Sequence, residues 1–387
     1  MIVDLLHEEL ASLAQQGLQR SHRVVASPSA PLLNVDGHAV IAFCSNDYLG
    51  LANNPEVIAA LAQGANEWGA GAGASHLICG HQKPHEDLQI ALARFVGMDK
   101  ALLFSTGYMA NMGIISALVG RGDAVFADRL NHASLLDAVQ LSRAEHMRYP
   151  HGDLGILKGQ LAATTCKRKM ILTDAVFSMD GDLAPLPELF ELAEKHDAWL
   201  VIDDAHGFGT LGPQGQGSLT HYKLSAHPRI IYMGTLGKAA GVSGAFVAGN
   251  ATVIDYLLQT SRTHIFTTAS APALAVALQK SLQLIEQADQ QRAHLNALIT
   301  RLRSGLTSLP WELMTQEGTQ TPIQPIIVGS NEAALRLTEG LLKQGFWVPA
   351  IRPPTVPAGK ARLRITLSAK HSETQVDALL SALRSLA

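Results

Sequence analysis

Cysteine is scarce in this sequence. The 387 residues include only three, Cys44, Cys79 and Cys166, and no two of them form a CxxC pair. A disulfide framework or a zinc ribbon needs cysteines in pairs at short spacing, so neither is expected. Such cysteine usage is typical of a reducing compartment, and we expect the protein to be cytoplasmic.

Long apolar runs and clusters of positive charge are missing as well. No stretch reaches the roughly 18 consecutive apolar residues of a membrane span. The acidic, amphipathic first segment does not resemble a signal or transit peptide. The formal net charge is -3, and Lys and Arg form no long run. Because a nucleic-acid-binding protein needs a basic patch, we expect neither a nucleic-acid nor a membrane partner.

Material for a large core is abundant, because 47% of the residues are hydrophobic. From residue 101 onward, short apolar runs alternate with helical patterns. The runs are 101–105, 123–127, 146–149, 169–174, 198–203, 229–233 and 244–249, and the helical patterns are 107–119, 132–141, 153–163 and 185–196. This alternation predicts an α/β fold with a mostly parallel, doubly wound sheet. Ligands of such sheets bind beyond the carboxyl ends of the strands, so functional residues are expected in the loops there.

The flanking segments have patterns of their own. Helices are predicted at 2–17, 55–67, 85–96, 271–304, 331–344 and 372–385, with further apolar runs at 40–44, 311–314, 322–328, 346–351 and 362–367. The last four runs and their helices predict a smaller C-terminal α/β domain. We therefore divide the chain into an N-terminal helix and arm (1–45), a large domain (46–285) and a small domain (286–387).

A lysine in a turn of small residues follows the predicted strand 229–233. Lys238 stands in the segment Gly-Thr-Leu-Gly-Lys-Ala, which lacks the Gly-x-x-x-x-Gly-Lys-Ser/Thr pattern of a P-loop. The small neighbours leave space around the amine, and a lysine in a pocket is the nucleophile of Schiff-base chemistry. An ordinary surface lysine is the alternative interpretation.

Two aspartates and a histidine follow one another at the end of the predicted strand 198–203. Pyridoxal phosphate needs an acid beside its ring nitrogen as well as a lysine, and Asp203 fits the role of that acid. A metal site of Asp203, Asp204 and His206 is the alternative. Successive strand residues point to opposite faces, so the two carboxylates would not converge easily. We therefore predict no metal ion in this site.

Two glycine-containing segments are candidates for phosphate binding. The predicted strand 101–105 leads through Gly107 into a helix, whose N-terminal amides can bind an anion. An ordinary strand–helix turn would have the same appearance. The Gly-rich segment 69–80 does not match the dinucleotide fingerprint, because a helix rather than a strand precedes it.

Taken together, seven segments resemble the α-oxoamine synthase family of fold-type I pyridoxal-phosphate enzymes. They are SNDYLG (45–50), STGYMAN (105–111), DRLNHASLLDA (128–138), VFSMDGD (176–182), VIDDAHGFGTLGPQGQG (201–217), GTLGKAAGVSGAF (234–246) and IRPPTVPAGKARLRITL (351–367). They follow the family's order over more than 320 residues, so the likeness is far more specific than any one motif. The resemblance implies a seven-stranded, mostly parallel sheet in the large domain.

The resemblance also implies roles for individual residues. Lys238 would hold the cofactor covalently and move the α-proton of the substrate, Asp203 would pair with the pyridinium nitrogen, and His132 would stack on the ring. The other implied cofactor contacts are Gly107, Tyr108, Ser178, His206 and Thr235. The implied substrate contacts are Arg20, Asn46, His132, Thr355 and Arg364, of which Arg364 would grip the carboxylate of the amino acid.

Two of the segments, DRLNHASL and IRPPTVPAG, are most similar to the biotin-pathway member of the family. That member condenses L-alanine with a pimeloyl thioester, carried on coenzyme A or on an acyl carrier protein. The family consists of homodimers with active sites at the subunit interface, and we expect the same here. The alternatives are another member such as glycine C-acetyltransferase, an aminotransferase of the same fold, or a protein that binds the cofactor without catalysis.

The chain departs from the family's pattern at two positions. His76 replaces a frequent Arg, and Gln89 replaces a frequent Glu. In this family the segment that contains them lines the entrance to the site. The departures therefore concern the choice of substrate rather than the chemistry.

Overall fold

The computed structural model describes residues 2–313 and 320–387. Its helices are α1 (Ile2–Gln15), α2 (Pro55–Trp68), α3 (Lys83–Phe95), α4 (Gly107–Leu118), α5 (Ala133–Ser142), α6 (Leu154–Ala163), α7 (Leu186–Lys195), α8 (Ser218–His221), α9 (Ala251–Thr260), α10 (Arg262–Ile265), α11 (Pro272–Glu286), α12 (Asp289–Leu306), α13 (Asn331–Lys343) and α14 (Glu373–Leu386). Its strands are β1 (Leu32–Val35), β2 (His38–Ala42), β3 (Lys100–Phe104), β4 (Ala124–Asp128), β5 (Glu145–Tyr149), β6 (Lys169–Asp174), β7 (Trp199–Asp203), β8 (Ile230–Thr235), β9 (Ala245–Gly249), β10 (Glu312–Leu313), β11 (Ile323–Gly329), β12 (Phe346–Trp347), β13 (Ala350–Ile351) and β14 (Ala361–Thr366). A π-helical turn covers His76–Gly80, and a 3-10 turn covers Pro213–Gly215.

Two compact units share these elements. The larger unit comprises Asp47–Ser178 and Asp182–Arg292. The smaller unit comprises the residues up to Asn46, the short segment Met179–Gly181 and the residues from Ala293 onward. Among the helices described, none combines the length and the apolarity that crossing a membrane requires.

A seven-stranded sheet forms the centre of the larger unit, in the order β3-β9-β8-β7-β6-β4-β5. The neighbours from β8 to β5 pair in parallel, whereas β9 is antiparallel to both β8 and β3. The predicted α/β fold with a mostly parallel sheet is therefore confirmed. Because β9 reverses the direction of the chain, β3 runs the same way as β8. The carboxyl ends of β3, β4, β6, β7 and β8 consequently lie at one edge of the sheet.

The core of the larger unit explains why its strands are apolar almost throughout. All five residues of β4 are buried, as expected for a parallel strand with helices on both faces. Ile114 and Ile115 of α4 are fully buried in the same core. Helix α2 lies so close to α11 that a Cβ atom on Gly64 would come within 2.9 Å of Ala273 Cα. Glycine at that position is therefore what allows the two helices to approach.

The smaller unit contains two small sheets, which makes it an α/β unit as predicted. One sheet has the order β10-β11-β14-β13 and is antiparallel, and the other has the order β1-β2-β12. An ion pair joins Arg362 on β14 to Asp180, and their exposed fractions are only 2% and 6%. Arg362 also donates to the Met179 carbonyl at 3.1 Å. The segment Met179–Gly181 is thereby attached to this unit.

Two expectations about elements are corrected by the structure, and one long helix is added to them. The predicted helix 271–304 is two helices, because α11 ends at Glu286 and α12 begins at Asp289, an acidic residue that favours a helix N-terminus. The predicted strand 346–351 is two short strands, since Pro349 between them has no N–H to donate. Helix α9 was not anticipated. Of the predicted strand 311–314, β10 is present, and Met314 lies outside the described residues.

Packing of α4 in the core leads to a prediction about stability. Ile114→Ala should lower the free energy of unfolding by about 2–5 kcal/mol, because it removes fully buried methyl groups and leaves a cavity. Ile156→Ala on α6 is the matched control, since Ile156 is 47% exposed, and it should cost less than about 0.5 kcal/mol. Urea unfolding of both variants measures the difference. Equal losses in the two variants would contradict the assignment of Ile114 to the core.

Candidate active site

The carboxyl-terminal edge of the seven-stranded sheet gathers most of the predicted site residues. Asp174 at the end of β6 pairs in register with Asp203 at the end of β7. Asp203 in turn pairs with Met233 of β8, two residues before Thr235. Parallel strands therefore place these loops side by side, although they are far apart in the sequence.

A hydrogen-bonded chain holds the Asp203 carboxylate in place. Asn111 Nδ2 on α4 donates to Asp203 Oδ2 at 2.7 Å and to Ser134 Oγ at 2.9 Å. The Ser134 hydroxyl lies 2.7 Å from His132 Nδ1, and the Ala205 amide donates to Asp203 Oδ1 at 3.0 Å. Asp203 is only 4% exposed. Since a buried carboxylate is costly without hydrogen bonds, these donors are what permit its burial.

Lys238 belongs to a second hydrogen-bonded chain. Its Nζ lies 2.8 Å from His206 Nε2, and His206 Nδ1 lies 2.5 Å from the Tyr48 hydroxyl. Tyr48 is fully buried, and His206 is 5% exposed. Because both ring nitrogens of His206 are engaged, the orientation of the imidazole is fixed, and with it the position of the lysine amine.

Burial and nearby charges shift the acid–base properties of this edge. Burial lowers the pKa of His132, while the Asp203 carboxylate raises it and the Lys238 ammonium lowers it again. The His132 ring is therefore held in the neutral form. Burial, together with the charge of Asp203, raises the pKa of Asp174 well above its usual range. Asp174 accepts a hydrogen bond from the His132 amide at 2.8 Å, which anchors the start of α5.

The start of α4 provides a position for an anion. Thr106 is the N-cap, and its hydroxyl accepts a hydrogen bond from the Met109 amide at 3.1 Å. A Cβ atom on Gly107 would lie 3.7 Å from Met233 Cε and 3.9 Å from Thr235 Oγ1, so Gly107 and Thr235 are neighbours. The Tyr108 hydroxyl is hydrogen-bonded to Asp137 on α5. Helix amides and a threonine hydroxyl are thus close together, as binding a phosphate requires.

Asp204 has a different role from Asp203. Its Oδ2 accepts hydrogen bonds from the Ser218 amide at 2.7 Å and from the Tyr232 hydroxyl at 2.8 Å. A Cβ atom on Gly207 would lie only 2.1 Å from Asp204 Oδ1, so this turn accepts no larger residue without rearrangement. The two adjacent carboxylates face different partners, as the alternation of strand residues predicts. The metal interpretation of Asp203, Asp204 and His206 is therefore not supported.

The predicted substrate residues outside the larger unit fall into two groups. Arg364 on β14 donates from Nη1 and Nη2 to Asn46 Oδ1, at 3.3 Å each, and from Nη1 to Thr366 Oγ1 at 2.9 Å. Arg364 is 6% exposed, and Asn46 is half-buried. Arg20 and Thr355, by contrast, are exposed, in the segment after α1 and in a turn. The structure thus brings Asn46 and Arg364 together.

Ser178 and Gln89, two further positions singled out from the sequence, lie in the larger unit. Ser178 is half-buried at the end of the loop after β6, where the Phe177 amide donates to the Asp182 carbonyl at 3.0 Å. Gln89 accepts a hydrogen bond at Oε1 from the Leu103 amide at 3.1 Å. That bond gives Gln89 a structural contact with β3.

Three residues of the two hydrogen-bonded chains were not assigned a role from the sequence. They are Tyr48, Asn111 and Ser134. Each lies within a quoted motif, and Asn111 is a buried polar residue in the largely apolar helix α4. That contrast is a signal that sequence reasoning could have used. The partner of Asn111, 92 residues away, is visible only in the fold.

Comparison with known families gives a match along most of the chain. The model of the family described as aminotransferase class I and II matches residues 38–383. Among curated proteins, the chain is 62% identical over 388 aligned positions to 8-amino-7-oxononanoate synthase of Herminiimonas arsenicoxydans, covering 99% of both chains.

Solved structures give a consistent result. A serine palmitoyltransferase variant from S. paucimobilis with a bound pyridoxal phosphate–myriocin aldimine is 30% identical, with a TM-score of 0.92 and coverage of 99% of this chain and 96% of that chain. An 8-amino-7-oxononanoate synthase from Francisella tularensis is also 30% identical, with a TM-score of 0.79 and coverage of 89% and 97%. The resemblance to fold-type I pyridoxal-phosphate enzymes is thereby confirmed.

The burial of Asp204 leads to a prediction about pH. Burial raises the pKa of Asp204 from 3.8 to about 7, so between these values the folded protein holds a proton that the unfolded chain has lost. The free energy of unfolding should therefore fall as the pH rises from about 4 to 7, by at most about 1.4 kcal/mol per pH unit. Asp204→Asn, which cannot ionise, should remove this part of the slope.

Urea unfolding at several pH values measures that slope. Asp197→Asn is the control, since Asp197 is an exposed carboxylate whose side chain is 78% accessible. It should keep the slope of the unmodified protein. An unchanged slope in Asp204→Asn would show that Asp204 does not titrate in this range.

Proposed function

The chain belongs to the class I and II aminotransferase family, and we propose that it condenses L-alanine with a pimeloyl thioester in biotin biosynthesis. The products are 8-amino-7-oxononanoate, carbon dioxide and the free thiol, and the carrier of the acyl group is coenzyme A or an acyl carrier protein. The full-length identity of 62% to a curated 8-amino-7-oxononanoate synthase supports this reaction. The observation that carries it is the lysine amine held 2.8 Å from His206 at the sheet edge that also carries Asp203.

Pyridoxal 5′-phosphate is the cofactor of this reaction, and the larger unit has residues that fit it. A phosphate needs helix amides and a hydroxyl, which the start of α4 and Thr235 offer. The ring nitrogen needs a carboxylate, and Asp203 is held for it by Asn111. A Cβ atom on Gly237 would meet no atom within 4 Å, so there is open space beside Lys238. His132 is the proposed stacking residue, and its neutral ring suits that contact.

When bound, the cofactor supplies an electron sink that acidifies the α-carbon of the amino acid. The protein must then provide a base, and Lys238 Nζ is the group proposed to take and return the α-proton. His206 and Tyr48 hold that amine in position. Asn111 keeps the Asp203 carboxylate oriented, so it acts as a positioning residue.

Arg364 is the proposed ligand of the amino-acid carboxylate. The guanidinium is planar and offers two parallel donors, which match a carboxylate bidentately. Asn46 and Thr366 hold it through hydrogen bonds of 2.9–3.3 Å, so its orientation is set before a substrate binds. Arg20 and Thr355 are proposed as further substrate contacts, and Tyr108, Ser178 and Gly107 as cofactor contacts. This set rests on the resemblance to the family.

The family also supports a proposal about assembly and location. We propose that the protein is a homodimer and that it acts in the cytoplasm. The second proposal agrees with the three unpaired cysteines, which are all free in the structure.

Lys238→Ala tests the covalent attachment of the cofactor. The variant should lose the visible absorption of lysine-bound pyridoxal phosphate and at least 1,000-fold in activity, on the order of the loss when a catalytic residue is removed. Lys158→Ala, which removes an exposed lysine of α6, is the control and should change neither. Spectra of the two purified variants make the comparison. An unchanged absorption band in Lys238→Ala would overturn the assignment of this lysine.

Thiol release tests the reaction itself. The cofactor-loaded protein should release free thiol from pimeloyl-CoA in the presence of L-alanine, and not from acetyl-CoA in the presence of glycine. A thiol-reactive dye measures both reactions. Release only from acetyl-CoA with glycine would keep the site but replace the substrates by those of glycine C-acetyltransferase. Conversion of the cofactor to its amine form by an amino acid alone would instead indicate an aminotransferase.

A further inference from the structure

Four histidines come together around the loop between α2 and α3, in the larger unit. They are His76, His81, His85 and His264, and none of them belongs to the proposed cofactor or substrate set. The rings of His76 and His264 are stacked with centroids 4.8 Å apart, and those of His76 and His81 lie 5.2 Å apart. His76, His81 and His264 line a cavity of about 230 Å³. Imidazole nitrogens are common metal ligands, so this cluster is a candidate metal site.

The ring nitrogens are close enough to share one ion. One nitrogen from each of His76, His81 and His85 lies within 4.8 Å of the others. The shortest distance, 2.9 Å, joins Nδ1 of His76 to Nδ1 of His81. Two imidazole nitrogens bound tetrahedrally to zinc at 2.0–2.1 Å are about 3.3 Å apart. To bind one ion, the two rings would have to turn so that both Nδ1 lone pairs point at it, and the side chain of His81, 30% exposed, has room to do so.

His81 is oriented in the way that metal-binding histidines usually are. Its Nε2 lies 3.0 Å from Glu86 Oε2, at the start of α3. A carboxylate on the far nitrogen fixes the tautomer with the proton on Nε2 and leaves the lone pair of Nδ1 facing His76. The carboxylate also makes the ring a better donor to a metal.

His264 gives a second, independent observation beside the same cavity. Its Nδ1 donates to the Leu103 carbonyl at 3.0 Å, which leaves Nε2 as an acceptor. That Nε2 is buried and has no hydrogen-bond partner among the described residues, and the side chain is only 2% exposed. Such a buried acceptor beside the cavity needs a donor, which a water bound to an ion can supply.

His85 is the least available of the four. Its Nδ1 accepts a hydrogen bond from the Gln82 amide at 3.1 Å, and its Nε2 lies 2.9 Å from the Ser270 carbonyl. The first bond caps α3, so His85 could bind a metal only by giving up that cap. The primary ligands are therefore His76 and His81.

We propose that His76 and His81 bind one divalent transition-metal ion through their Nδ1 atoms, with Glu86 as the outer partner of His81 and water at the remaining positions. Imidazole ligands suit Zn²⁺, Ni²⁺ and Cu²⁺ rather than Mg²⁺ or Ca²⁺. The site uses none of the residues assigned to the cofactor or the substrates, so metal binding can be tested separately from the proposed reaction.

The test uses Co²⁺ and Zn²⁺ as probes of the full-length, tag-free protein loaded with its cofactor. Co²⁺ reports its own coordination through its visible absorption, and Zn²⁺ then displaces it. We expect one ion per chain. His81→Gln should weaken binding at least 10-fold, and Glu86→Gln should weaken it about 10-fold through loss of the outer partner. His22→Gln, at an exposed histidine outside the cluster, is the control and should leave the affinity unchanged.

The Co²⁺ affinities of the histidine variants show whether the ion binds at His76 and His81 or elsewhere. The side chain of His81 is 30% exposed, so His81→Gln should fold, which the cofactor spectrum and circular dichroism check. Co²⁺ bound by His81→Gln and by the double variant His76→Gln/His81→Gln as tightly as by the unmodified protein would overturn the proposal, because the ion would then lie elsewhere. Absence of any Co²⁺ or Zn²⁺ binding by the unmodified protein would also overturn it, and would identify the 2.9 Å contact as an N–H···N hydrogen bond between neutral rings.

Discussion

Asp203 ends a central strand of the sheet with a carboxylate that is almost completely buried. A charge in that position is costly unless donors surround it, and the nearest donors are the Asn111 amide and the Ala205 backbone. Asn111 reaches it only because α4 starts directly beyond β3, and the same helix start places Gly107 beside Thr235. The geometry of the proposed cofactor site thus depends on satisfying one buried carboxylate.

Strand direction is the second requirement for the site. Lys238, His132 and Asp203 follow three different strands, and they meet because those strands run parallel and end at the same edge. Most residues of these three strands are buried, as expected for parallel strands with helices on both faces. Of the glycines around Lys238, Gly237 borders open space, whereas Gly234 and Gly241 pack closely against Phe246 and Ala52. The strands therefore fix where the loops begin, and the loops carry the residues proposed to bind the cofactor.

Two histidines of the larger unit, His206 and His76, have very different surroundings. His206 is fixed by Tyr48 and Lys238, and its role is to hold an amine. His76 is buried among other imidazoles, and its Nδ1 lies 2.9 Å from Nδ1 of His81. The family's frequent Arg at position 76 would bring a permanent charge to the same place.

Local pattern was sufficient for much of the fold. Buried strands with continuous apolar residues and amphipathic helices between them were recognisable in the sequence, because their periodicity is a property of neighbouring residues. The break between α11 and α12 was missed, since both helices are strongly helical in pattern and only the geometry at Gln287 and Ala288 separates them.

By itself, the sequence determined the class of fold, the motif order and the candidates Lys238 and Asp203, since strand ends and glycine turns are read from neighbouring residues, and the resemblance to the family added His132. Only the tertiary structure decided which side chains are in contact. Tyr48 and His206 are 158 residues apart, and Arg364 and Asn46 are 318 apart. The convergence of four histidines was equally invisible, because His264 reaches the others through the packing of α10 and β3. Contacts over such separations depend on how elements pack, and no local pattern encodes that directly.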